Sequence, residues 1–282
     1  MKNFYIIVNG EKDGHKAVRQ AIEEYLESRG GICRASSGKF HKGSRYTAIS
    51  DIPDGTECVI TLGGDGTLIR AARDLAGSGL PIIGMNLGGL GYLTQISREG
   101  DIRELLDALL LNRYQVEERM MLKGRAYHRG ELVTEDIALN DIVMTREGDL
   151  RILKFKIYVD GQFLYEYSAD GMLVATPTGS TAYNLSAGGP IAQPDGKLLI
   201  LTPVCPHTLT SRTIVLGPES RIRIEISAEN QGKQNAVFDG DTRVLLEPGD
   251  YIEVERAQTV TRVIKLDSRS FLDILKHKMY NA

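Results

Sequence analysis

Gly63-Gly64-Asp65-Gly66-Thr67 follows directly on an apolar run, Cys58–Leu62. Paired glycines at a strand end reach backbone conformations that other residues resist. Successive amide N–H groups then point to one side and can bind an anion. Thr67 is placed to cap a following helix, whose N-terminus adds positive potential. Gly63, Gly64 and Thr67 together describe a phosphate loop. Asp65 breaks that pattern, because a carboxylate beside phosphates is repulsive unless it meets a cation or a substrate hydroxyl. Its presence points to phosphoryl transfer onto an alcohol, with Asp65 as the base. The alternative is a tight Gly-Asp-Gly turn with an ordinary Asp. The segment is neither a G-x4-G-K-[ST] loop nor a G-x-G-x-x-G turn.

Asp170 to Pro190 is the densest polar and glycine-rich stretch of the chain. Thr176, Thr178, Ser180, Thr181 and Ser186 supply hydroxyls without charge. Tyr183 offers an aromatic face for a planar ring. This composition suits a nucleoside, although Pro-Thr-Gly-Ser is also good turn chemistry. Asn140-Asp141 lies inside Glu135–Thr145, a run otherwise interrupted only by Asp136. Asn can read an adenine edge and Asp can accept from ribose hydroxyls. A solvated strand end is the other explanation for that pair.

Elements must position these residues. Phe4–Val8, Cys58–Leu62 and Leu80–Met85 read as strands; His15–Arg29, Leu68–Ala76 and Asp101–Leu111 read as helices. Strands alternating with helices predict a parallel sheet in an α/β domain. After about residue 114 the pattern turns β-like. Lys154–Val159 and Gln162–Tyr167 flank Asp160-Gly161, a strong hairpin signal. Met172–Thr176, Leu198–Thr202, Arg221–Ile226, Arg243–Glu247, Tyr251–Arg256 and Arg262–Leu266 are further strand candidates. Ser270-Phe-Leu-Asp273 is a capping-box pattern opening a last helix to about Lys278, too short to stand alone and so expected to dock.

Composition narrows the function classes. A length of 282 residues fits one large domain or two ordinary ones. With 34 basic and 37 acidic residues the charge nearly balances, which argues against a dedicated nucleic-acid binder. No apolar run approaches the roughly 18–20 residues of a membrane span, and the N-terminus lacks a signal-peptide pattern. Cys33, Cys58 and Cys205 make no disulfide framework or zinc motif, which points to a reducing, cytoplasmic compartment and to core packing for each. The histidines form no close metal pair, and no metal-ligand set is assigned. Of the 30 glycines, nine fall between Gly63 and Gly91, including a second group, Gly88-Gly89-x-Gly91. The excess therefore sits at particular turns.

The three motifs in this order and spacing resemble the NAD kinase family: GGDGT at Gly63–Thr67, Asn140-Asp141, and DG…TPTGSTAYNLSAGGP from Asp170 to Pro190. The resemblance covers nearly the whole chain. It implies a Rossmann-like α/β N-terminal domain (1–114), a β-rich C-terminal domain (115–268) and a terminal helix (269–282) returning to the first. It implies ATP + NAD → ADP + NADP with Mg²⁺ or another divalent cation, Asp65 acting as base toward the adenosine ribose 2′-hydroxyl and Gly66 sharing that contact region. Asn140, Asp141, Asp170, Thr181, Ala182, Tyr183, Asn184, Leu185 and Ser186 are implied to bind NAD. Arg151 stands where relatives often carry a basic residue that meets phosphate, and Asp241 falls near a polar ligand position. Two departures stand out: Asp141 replaces a common Glu, and Ser168 occupies a position that is basic in some relatives, which bears on donor preference. A cytoplasmic dimer or tetramer, with no membrane or nucleic-acid partner, is the corresponding expectation. The competing readings are another GGDG kinase acting on a lipid or sugar phosphate, and a non-catalytic NAD(H)-sensing protein.

Overall fold

The computed structural model describes residues 1–8, 14–36, 47–86, 91–94, 100–148, 152–208, 210–266 and 270–280. In chain order the elements begin with β1 (Asn3–Val8), α1 (Gly14–Ser28), β2 (Ile32–Ala35), β3 (Cys58–Leu62), α2 (Asp65–Asp74), β4 (Pro81–Met85) and α3 (Gly100–Leu110). Next come β5 (Gln115–His128), β6 (Glu131–Ala138), β7 (Asp141–Arg146), β8 (Leu153–Val159), β9 (Gln162–Ala169) and β10 (Gly171–Ala175). After them follow α4 (Tyr183–Ser186), β11 (Leu199–Val204), β12 (Ile214–Leu216), β13 (Ile222–Ile226), β14 (Gln234–Phe238), β15 (Thr242–Leu246), β16 (Tyr251–Lys265) and α5 (Phe271–Tyr280). The chain divides into two units, Met1–Glu118 with Val260–Ala282, and Arg119–Thr259.

The first unit is built on parallel pairings in the order β2-β1-β3-β4-β16. Every residue of β3 is buried, as a central parallel strand covered on both faces requires. Ile22 and Leu26 of α1 and Leu105, Leu106 and Leu109 of α3 close one core with Phe4, Ile6, Ile60 and Ile83. The expected capping box opens α5: the Asp273 amide donates to Ser270 Oγ at 3.2 Å and the Ser270 amide to Asp273 Oδ2 at 3.0 Å. Lys278 of α5 holds its Nζ 5.5 Å from the Tyr92 ring centroid. Among the described residues no helix is long and apolar enough to cross a membrane.

The second unit is a β-sandwich. One sheet runs β12-β11-β10-β7-β14-β15, all antiparallel. Its alternation splits two apolar layers. Ile142, Met144, Met172, Val174, Leu199, Leu201, Ala236 and Phe238 face the main core with Phe155, Ile157, Ile222, Ile224, Ile252 and Val254 from β8, β13 and β16. Val143, Leu173, Ala175 and Ile200 face the other way, under Ala187, Ala192 and Leu198. The segment after β10 is therefore laid over the outer face of this sheet.

These units agree with the fold class expected from the sequence, and several elements correct the detail. Tyr251–Arg256 and Arg262–Leu266 are one strand, β16, because Thr259-Val-Thr261 continues its β-branched pattern between them. The hairpin of β5 and β6 carries no Asn-Gly or Asp-Gly. Its turn is Arg129-Gly130 at φ +50° and +84°, and an arginine in that region leaves no sequence signal. β2, β12 and β14 are three to five residues long and were not expected.

Candidate active site

In the first unit the site grows from the turn between β3 and α2. The helix begins at Asp65, earlier than the periodicity of Leu68–Ala76 indicates, and Gly64 is its N-cap without a side-chain cap. Thr67 is thus not the cap; it lies inside the first turn, is buried, and its amide donates to the Gly64 carbonyl at 2.9 Å. Gly63 gives its amide to the Met85 carbonyl at 2.9 Å, continuing the β3–β4 pairing. Gly66 is exposed at the helix start, where the leading amides have no i−4 carbonyl to bond and the dipole is positive.

The Asp65 carboxylate does not turn back onto its own helix. Oδ2 accepts the Tyr92 amide at 2.8 Å. Oδ1 accepts the amides of Leu93 at 3.3 Å and Thr94 at 3.0 Å, and the Thr94 hydroxyl at 2.9 Å. Gly91 makes this grip possible, since a Cβ there would fall 2.0 Å from Asp65 Oδ1. The carboxylate is only part-buried, so it is rigidly held yet reachable. Gly88 and Gly89 lie outside the described residues.

In the second unit Asn140-Asp141 enters β7 under the control of another carboxylate. Asp239, in the turn after β14, accepts the Leu139 amide at 2.7 Å, the Asn140 amide at 2.8 Å and the Asp141 amide at 3.1 Å. It sits at φ +48°, ahead of Gly240 at +71°, a pairing that Asp tolerates and Gly prefers. Asp141 is buried beside it and accepts the Tyr183 amide; burial and the Asp239 charge push its carboxyl up to about 7. The Asn140 Oδ1 atom is enclosed with no hydrogen-bond partner among the described residues, an acceptor awaiting a donor.

The stretch after β10 is pinned onto the same segment. The Thr176 amide donates to the Asn140 carbonyl at 2.8 Å and its hydroxyl to the Leu139 carbonyl at 2.6 Å. Gly179 lies so close that a Cβ would fall 2.1 Å from the Asn140 carbonyl oxygen. Asn184 is fully buried and spends its amide within the loop, donating to Ser180 and Pro190 carbonyls and accepting the Thr202 hydroxyl at 2.7 Å. Tyr183, Leu185 and Ser186 are exposed on that scaffold, with Thr181 and Ala182 partly so. Burial, with Cys205, Asp141 and Asp170 nearby, holds the Tyr183 phenol above its ordinary range, Arg146 opposing. Asp170 pairs with Arg146 at 2.8 Å and lies 3.6 Å from His207 Nε2.

Two patterns of comparison bear on this geometry. Residues 4–114 match the model of the ATP-NAD kinase N-terminal domain, and residues 139–266 that of the ATP-NAD kinase C-terminal domain. The chain belongs to the NAD kinase family. NAD kinases of Lachnospira eligens and Agathobacter rectalis are 42% and 44% identical to it, over 99% and 100% of this chain and 100% and 99% of theirs. A yeast NADH kinase solved with NADH superimposes with a TM-score of 0.81 at 25% identity, covering 98% of this chain and 86% of that one. An NAD kinase from Archaeoglobus fulgidus solved with ATP gives 0.76 at 26% identity, covering 98% and 99%. As a member of the NAD kinase family the chain is an enzyme, a kinase with ATP and NAD as its substrates.

Not every residue singled out in the sequence joins these groups in the same way. Asn140, Asp141, Asp170 and Tyr183 are gathered in the second unit. Ser168 offers its carbonyl to the His207 amide at 2.8 Å. Asp241 closes the turn that holds Asp239, its amide donating to the Phe238 carbonyl at 2.9 Å. Arg151 lies outside the described residues. Cys205 is exposed rather than in the core, because it follows the last residue of β11 at φ +46°. Asp239, Arg146 and the Tyr92–Thr94 segment are not among the residues that the sequence motifs single out. The Phe-Asp-Gly-Asp turn was the one signal for Asp239, and Gly91 the one signal for Tyr92–Thr94.

Proposed function

We propose that the chain transfers the γ-phosphoryl group of ATP to the 2′-hydroxyl of the adenosine ribose of NAD, with Asp65 as the base. The observation that carries the reading is the Asp65 carboxylate, gripped at a helix N-terminus by Tyr92–Thr94 and still reachable. A loose phosphoryl-transfer transition state asks for positioning and charge neutralisation more than for early deprotonation. Asp65 orients the hydroxyl and takes its proton late; the positive end of α2, with Gly64 and Gly66 at its start, favours the phosphates. The Asn140 acceptor suits the exocyclic amine of adenine, and Asp141 and Asp170 suit ribose hydroxyls. Tyr183 supplies a stacking face, Thr181, Ala182, Leu185 and Ser186 line the ligand, and Asn184 holds their loop in shape.

Among the described residues no three His, Cys, Asp or Glu side chains converge as metal ligands. We read Mg²⁺ or another divalent cation as entering with ATP, as part of the donor substrate. A homo-oligomer, dimer or tetramer, working in the cytoplasm completes the proposal. The test is NADP formation from NAD with ATP and Mg²⁺, run beside NADH, inorganic polyphosphate, a lipid and a sugar phosphate. NADP as the main product is the expected result. NAD binding without NADP would instead support a sensing protein, and phosphorylation of the lipid or sugar alone would overturn the acceptor.

A further inference from the structure

Among the described residues that grip Asp65, three donors are backbone amides and one is a side chain, the Thr94 hydroxyl. Thr94 is fully buried. Its Cγ2 packs over Gly84 of β4, where a Cβ would fall 2.7 Å away, and its Oγ1 faces Gly91, where a Cβ would fall 2.2 Å away. Two glycines thus leave the room that Thr94 fills. The donors are shared unequally between the carboxylate oxygens. From the described residues Oδ1 takes three, which occupy its lone-pair positions, and Oδ2 takes one, from Tyr92.

We propose that Gly91–Thr94 is a clamp that presents Oδ2 of Asp65 to the acceptor, and that Thr94 is its positioning residue through the bond from Oγ1 to Oδ1. The inference rests on the reading of Asp65 as the base. In the step it serves, the acceptor oxygen forms a bond to the γ-phosphorus as the bond from that phosphorus to the β,γ-bridging oxygen breaks. ADP leaves with that electron pair, and the hydroxyl proton passes to Oδ2 and later to solvent. Loss of one donor from Oδ1 frees the carboxylate to rotate, so that Oδ2 no longer meets the hydroxyl in line. Small misplacements of a catalytic group are expensive in rate and leave ground-state binding alone.

The test is steady-state NADP formation by Thr94→Val, which keeps the shape and loses the donor, beside Thr94→Ser, which keeps the donor and loses the methyl. T94V is expected to lose about 10-fold in kcat with KM for NAD and ATP within about 2-fold, and T94S to stay within about 2-fold of the parent in kcat. In an Asp65→Asn background the T94V effect should shrink below about 2-fold, because Thr94 acts only through Asp65. Equal losses in T94V and T94S, or a T94V loss that persists in full beside D65N, would overturn the clamp and leave a packing role. Should T94V not fold, Thr94→Cys, a weaker donor of similar size, is measured against T94S with the same outcomes. Normal turnover in D65N sinks the base reading itself, whereas a slow D65N with a normal T94V sinks only the clamp.

Discussion

Asp65 and Asp239 each accept three consecutive backbone amides, Tyr92–Thr94 in one case and Leu139–Asp141 in the other. Asp65 opens a helix between two glycines and Asp239 stands in a turn ahead of Gly240, yet the two grips work in opposite directions. Around Asp65 the backbone holds the carboxylate, and the carboxylate is the group on offer. Around Asp239 the carboxylate holds the backbone, and the groups on offer are Asn140 and Asp141, which that backbone carries. The neighbours explain the difference. Asp239 has the buried Asp141 beside it, and burial together with the Asp239 charge holds the Asp141 carboxyl up at about 7. Asp65 instead stands at a helix N-terminus, with the Thr94 hydroxyl and three amides as its neighbours.

The comparison breaks most visibly at Asp65. Asp65→Asn is expected to lower kcat by about 10²–10⁴-fold while NAD binding survives. Stopped assays for NADP and calorimetry with NAD read the two quantities separately, and equal turnover in both proteins would remove the base. Asp239→Asn should do the converse. It leaves one carbonyl oxygen for three amides, so NAD affinity falls by about 10–100-fold and kcat at saturating NAD falls less. If kcat falls and affinity holds, the two aspartates do not differ as described. A smaller effect is expected at Tyr183→Ala, about 10-fold in NAD affinity with ATP affinity unchanged, because an exposed ring is lost from one ligand's face. Titration with each ligand alone decides it.

The smallest effect is thermal and tests the buried pair. Asp141 has its carboxyl raised from 3.8 to about 7 by burial and by Asp239. Between those values the folded protein binds a proton that the unfolded chain releases. The contribution of Asp141 is therefore fully present below the unfolded pKa of about 4 and lost as pH rises through 7. Asp141→Asn has no such loss. Its Tm relative to the parent should climb by roughly 5 °C between pH 4 and pH 8. A constant difference in scanning calorimetry would mean that burial and Asp239 do not raise the Asp141 carboxyl.

Local chemistry was legible in the sequence wherever a side chain or a turn writes it. The apolar run of β3, the Gly63–Thr67 turn, the Asp160-Gly161 hairpin and the Ser270–Asp273 capping box all fall where the residues indicate. The motifs from Gly63 to Pro190 sufficed to name the family. The helix start at Asp65 was missed because Gly-Asp-Gly is poor helix sequence that the turn nevertheless winds in. Nothing in the sequence tells that the Asn184 amide bonds to Ser180, Pro190 and Thr202; the packed loop does.

By itself, then, the sequence determined the order of strands and helices in the first unit, the β-rich character of the second and the family to which both belong. It also marked out Asp65, Asn140, Asp141 and Asp170. The tertiary structure alone decided how those residues are held. Asp65 is gripped by amides 27–29 residues along the chain and Asp239 reaches amides 98–100 residues back. A backbone amide is the same donor whichever non-proline residue carries it, so such contacts leave no composition or spacing to read. What they leave is a glycine where a side chain would intrude, as at Gly91 and Gly179, and only the folded chain says what each glycine makes room for.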